Sequence, residues 1–112
     1  MPHCIIEYSK TVELSPSRLV EAVHQAVLET ALFDASHIKT RAMAYEHYQL
    51  ADDSKEFIHV TVRLHSGRTT QQKQQLTAMI LQSLENLGLT KITITVEAVD
   101  IDSNSYAKLI IV

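Results

Sequence analysis

The hydrophobic pattern switches from a period of two to a helical period and back, and then does the same again. That succession restricts the fold more than any single motif. His3–Ser9 reads HCIIEYS, in which Cys4, Ile6 and Tyr8 alternate with His3, Ile5 and Glu7, and predicts a strand. Ser15 in the capping position, Pro16 at the first helical position and Leu14 and Leu19 at staple spacing predict a helix start. Leu19, Ala22, Val23, Ala26, Val27 and Ala31 carry its apolar face to about Leu32, opposite Glu21, Gln25 and Glu29. Lys39–Gln49 then predicts an unusually polar strand, with Lys39, Arg41, Met43, Tyr45 and His47 sharing one face.

The second half repeats the plan without repeating the residues. Phe57–His65 alternates Ile58, Val60, Val62 and Leu64 with His59, Thr61, Arg63 and His65, the clearest strand in the chain. Thr69 and Gln72 form a capping box ahead of the stripe Leu76, Met79, Ile80, Ser83, Leu84 and Leu87, which Gly88 terminates. Ile92, Ile94 and Val96 alternate through KITITVEAV as a last full strand. The expected order is β-α-β-β-α-β, an α+β fold of two layers in which a four-stranded sheet carries two helices on one face. Each helix should join two parallel strands by a right-handed crossover.

At 112 residues the chain reads as a single domain spanning 1–112. Two helices leave the other sheet face uncovered, and a fold this small buries little surface alone, so contact with other subunits is expected. The apolar tail LIIV, Leu109–Val112, reads as a contact strand for a neighbour. A formal charge of −3 lacks the basic footprint of a nucleic-acid binder. No apolar run approaches the roughly 20 residues that span a bilayer, and no basic region with an apolar core opens the chain, so a cytoplasmic protein is expected.

Chemistry is narrowed in the same way. Cys4 is the one cysteine, has no local base or helix N-terminus to activate it, and reads as core. Among the six histidines, His59 and His65 share a strand face but lie about 20 Å apart at strand rise, too far to share an ion. His47 falls on another strand. No metal site and no phosphate-cradling glycine loop is expected. Tyr8, Tyr45 and Tyr48 are candidates for lining a pocket or for packing.

Two features remain. Pro2 follows an initiator methionine that is commonly removed before a small residue, which would leave a secondary α-amine at the start of a strand. Such an amine titrates at about 7.7–8.0, lower when buried or near cations, and is then a base at neutral pH. The second feature is cationic: Lys39 and Arg41 lie two apart on one strand face, and Arg68 stands at the mouth of the second helix. The helix N-terminus and the arginine fork together suit a small carboxylate.

These residues carry a resemblance. Pro2 and His3, IIEYS at Ile5–Ser9, IKTR at Ile38–Arg41, QLAD at Gln49–Asp52, FIHVTVRL at Phe57–Leu64 and Gly67 with Arg68 resemble the tautomerase superfamily. Within it, the chain is similar to the 5-carboxymethyl-2-hydroxymuconate isomerase family. The resemblance implies a homotrimer whose sheets form an internal barrel, with sites at or near subunit contacts and no metal or organic cofactor. It also implies that the Pro2 amine shuttles a proton on a small anionic substrate, a conjugated 2-hydroxy-dienoate. Lys39, Arg41 and Arg68 would hold the carboxylates. One departure stands out: relatives commonly have Arg-x-Arg where this chain has Lys39-Thr40-Arg41, and lysine lacks the planar fork. Two other readings stay open: the same fold acting on another enol or a halo acid, and a non-catalytic trimeric binding module.

Overall fold

The computed structural model describes residues 1–112, with strands β1 (His3–Ser9), β2 (Lys39–Tyr45), β3 (Glu56–His65) and β4 (Ile92–Ile101) and helices α1 (Pro16–Glu29) and α2 (Thr70–Glu85). The sheet order is β2-β1-β3-β4. β1 pairs with β2 in parallel and β3 with β4 in parallel, while β1 and β3 meet antiparallel at the centre. Both helix crossovers therefore join parallel neighbours, as the period switches require. The two units even share one register: His3 faces Lys39 and Glu56 faces Ile92, a separation of 36 positions in each.

The alternation of β1 and β3 decides which face is covered. Cys4, Ile6 and Tyr8 of β1 and Ile58, Val60, Val62 and Leu64 of β3 are buried against Leu19, Val23, Ala26 and Val27 of α1 and Leu76, Ile80 and Leu84 of α2. The opposite parity, His3, Ile5 and Glu7 with Lys39, Arg41 and Met43, faces away from the helices, and Met43 stays 62% exposed. Leu76 has no solvent exposure and sits between helix and sheet. Leu76→Ala is expected to cost about 2–5 kcal/mol, read from denaturant unfolding at fixed protein concentration; a loss below about 1 kcal/mol would mean that the helix layer collapses onto the gap.

Several boundaries differ from expectation, each for a local reason. α1 ends at Glu29 rather than near Leu32, because Ala31 turns left-handed at φ +57° and the Thr30 hydroxyl donates to the Val27 carbonyl at 2.6 Å. No glycine announced that stop. β2 ends at Tyr45 rather than Gln49: its partner β1 ends at Ser9, and the last backbone bond of that edge runs from Lys10 N–H to the Tyr45 carbonyl at 2.9 Å. His47 therefore does not share the strand face with Lys39 and Arg41. β4 runs on to Ile101 because the ten-residue β3 continues to pair with it. α2 carries the expected capping box at Thr69 and Gln72, and Gly88 takes φ +73° just past its end. Leu109–Val112 forms no strand within the protomer, and its side chains are 70% exposed or more. No helix is long and apolar enough to cross a membrane.

Candidate active site at the chain start

Pro2 is fully buried immediately before β1, and its carbonyl accepts the Lys39 backbone N–H at 3.0 Å. The chain start is thus built into the sheet between β2 and β3 rather than trailing from it. Here the α-amine is carried by Met1, and it is held below its ordinary value of 8.0. Burial is the largest cause, followed by the positive charges of Arg68, Lys108 and Lys39; Asp34 acts in the opposite sense. Three cations converge on this end of the sheet.

Arg68 reaches it through a turn that needs glycine. Gly67 adopts φ +125°, a conformation side chains rarely take, and turns the chain from β3 into the capped start of α2. The Arg68 Nη2 then donates to the Leu32 carbonyl at 2.6 Å, and its guanidinium lies 4.7 Å over the Phe33 ring. The loop after α1 and the loop after β3 are thereby clamped together beside the chain start. Only one edge of the guanidinium is engaged, so its remaining donors can take a carboxylate.

Lys39 and Arg41 part company. Lys39 acts electrostatically on both the chain-start amine and His3. Arg41 lies further along β2 on the uncovered face, where its Nη1 donates to His3 Nδ1 at 3.2 Å. It lines a cleft of about 540 Å3 with His3, Arg63, Asp100, Ile101, Asp102, Ser105 and Tyr106. Lys39 and Arg68 therefore both act on the amine at the chain start, while Arg41 contacts His3.

The remaining candidates fall elsewhere. Burial pushes the Cys4 thiol up to about 11 against a hydrogen bond from Thr40 and the charge of Arg41, so it is no nucleophile. His59 spans Thr95 at 2.6 Å and Glu97 at 2.8 Å, and His65 meets Ser103 at 2.8 Å. Tyr8 is core, while Tyr45 and Tyr48 line a cleft of about 720 Å3 beyond the far end of β1 with Lys10 and Lys55.

A four-stranded sheet in β-α-β-β-α-β order, with Pro2 buried at the head of its central strand β1, is the architecture of the tautomerase superfamily. The sequence model of the 5-carboxymethyl-2-hydroxymuconate isomerase family matches residues 2–107, and the chain belongs to that family of isomerases. The chain is 26% identical over 89 residues to the 5-carboxymethyl-2-hydroxymuconate Delta-isomerase of Escherichia coli, covering 76% of this chain and 71% of the relative. A crystal structure of a 5-carboxymethyl-2-hydroxymuconate isomerase from Deinococcus radiodurans R1 superposes with a TM-score of 0.80 at 20% identity, over 96% of this chain and 88% of the other. The fused 4-OT W0, a symmetric trimer, superposes with a TM-score of 0.75 at 16% identity, over 96% and 93%.

Lys108, Tyr106 and Phe33 were not singled out by residue pattern. The topology alone points to the first two. β4 runs parallel to β3, and the end of β3 lies beside the start of β1, so whatever follows Ile101 emerges next to the chain start.

Proposed function

We propose that the chain isomerises a small unsaturated dicarboxylate of the 2-hydroxymuconate type, with the Pro2 amine, freed by removal of Met1, as base and acid. The observation that carries this reading is the burial of Pro2 at the head of the central strand β1, tied to Lys39 through its carbonyl, with the charges of Arg68, Lys108 and Lys39 acting on the adjoining chain-start amine of Met1. Neighbouring positive charge and burial both disfavour the ammonium form, which favours the neutral amine as a base. It removes a proton from the carbon adjacent to the carbonyl system. Arg68 and Lys39 stabilise the dienolate charge, Arg41 holds a carboxylate on the open-face side, and the ammonium returns the proton to another carbon. No cofactor takes part in these steps.

The same reading includes a cytoplasmic homotrimer with sites at or near subunit contacts. It is supported by the uncovered sheet face, by the exposed Leu109–Val112 tail and by the symmetric trimer among the structural neighbours. The direct test is a spectrophotometric assay of 5-carboxymethyl-2-hydroxymuconate isomerisation with protein whose mass shows loss of Met1. Turnover is expected; its absence would redirect the search to other enols, to halo acids or to a non-catalytic module.

A pH profile follows from the same charges. Burial and these cations hold the chain-start amine below its ordinary 8.0 with Met1 in place, and the same surroundings should act on the adjoining Pro2 nitrogen once it bears the amine, so kcat/KM should rise with pH along a limb that lies below that value, as the ammonium loses its proton. Lys39→Ala removes one of the positive charges, stabilises the ammonium and should move the limb to higher pH. A profile flat through the neutral range would refute the assignment of the amine.

A further inference from the structure

The C-terminal segment closes back on the chain start through one side chain. Just past the short 3-10 turn Ser103–Ser105, Tyr106 sets its ring edge-on to His65 at 4.9 Å between centroids, and tilted against His3 at 6.0 Å. Its hydroxyl lies 2.8 Å from His3 Nε2. On the other side of the same imidazole stands Arg41, and a guanidinium has donors only, so Nδ1 is the acceptor and carries no proton. His3 is held below its ordinary 6.5 by burial first and then by Arg41 and Lys39 of β2, the chain-start amine and Arg63 of β3, which keeps it neutral at pH 7. The one ring proton therefore sits on Nε2 and is donated to the Tyr106 oxygen. His65, the other titratable ring on this wall, is occupied by Ser103 and meets Tyr106 only through its edge.

We infer that Tyr106 is a positioning residue for Arg41, acting through His3: its hydroxyl oxygen selects the imidazole tautomer whose Nδ1 lone pair holds the guanidinium. A free arginine on an exposed strand face loses rotamer freedom each time it engages an anion, and one that is already held loses less. The remaining N–H groups of Arg41 are then presented to the cleft it shares with Arg63 and Tyr106, which Asp100 and Asp102 also line. This inference rests on the reading that Arg41 holds a substrate carboxylate.

Tyr106→Phe removes the oxygen and keeps the ring against His65. Nitrogen-15 NMR of the native assembly near neutral pH reads the connection directly. The parent should show His3 as the Nε2–H tautomer and a slowly rotating Arg41 guanidinium; the variant should show mixed tautomers and faster rotation. In the same variant KM for 5-carboxymethyl-2-hydroxymuconate should rise about threefold to tenfold, the size of one lost hydrogen bond, with kcat changed by less than about twofold. Placed on a His3→Ala background the substitution should add nothing to KM, because the connection is already cut. An Nδ1–H tautomer in the parent, an unchanged Arg41 signal in the variant, or additive effects of the two substitutions would overturn the inference. A parent that does not turn the substrate over counts against the function instead, and the NMR comparison then decides the inference alone.

Discussion

Pro2→Ala is expected to lower kcat/KM for 5-carboxymethyl-2-hydroxymuconate by about 100-fold or more, within the 100- to 10,000-fold that a positioned acid–base group contributes. The substitution leaves a primary amine at the chain start, which is free to rotate where the pyrrolidine ring is not. Its carbonyl can still accept the Lys39 N–H, so the strand start and the fold are expected to persist. A companion preparation makes the test sharper. Protein in which Met1 is retained carries the same side chains but converts the Pro2 nitrogen to an amide, which has no basicity, and should lose activity by at least the same factor. Mass spectrometry defines each form, and the assay compares them. Equal turnover by processed and Met1-bearing protein would remove the amine from the mechanism.

Arg68→Ala is expected to produce the second largest loss, about 10- to 100-fold in kcat/KM, from removal of charge-assisted hydrogen bonds worth about 1.5–3 kcal/mol. The same side chain donates to the Leu32 carbonyl and covers Phe33, so stability must be read in parallel. Arg68→Lys separates the two contributions: it keeps a positive charge near the amine but gives up the planar fork. The lysine variant should retain the position of the pH limb while KM remains raised. If both variants turn over like the parent, Arg68 is a structural clamp between two loops and nothing more.

The fold was legible where burial is one-sided and local. β3 and α2 were read with near-correct ends because Ile58–Leu64 alternates without exception and Thr69 with Gln72 closes a capping box. The ends of α1 and β2 were not legible. The first is set by Ala31 in a left-handed conformation, without glycine, and the second by the length of its partner strand. The site divides along the same line. Pro2 and Arg68 stood out because each sits beside a boundary of a regular element. Arg41 could be placed on a face, but its contact with His3, and that of His3 with Tyr106 103 positions away, could not be read. No local pattern records such a pairing; only the order of strands in the sheet does.

The shared register of the two β-α-β units has a stoichiometric consequence. β3 opens the second unit as β1 opens the first, so the counterpart of Pro2 is Lys55, immediately before Glu56. The Lys55 backbone nitrogen is an amide that donates its hydrogen to the Lys91 carbonyl at 3.2 Å. A polypeptide has one α-amine however often its architecture recurs, so the repetition of halves can furnish only one reactive end per chain. The far end of the sheet, with its wide cleft around Lys10 and Lys55, has no α-amine of its own.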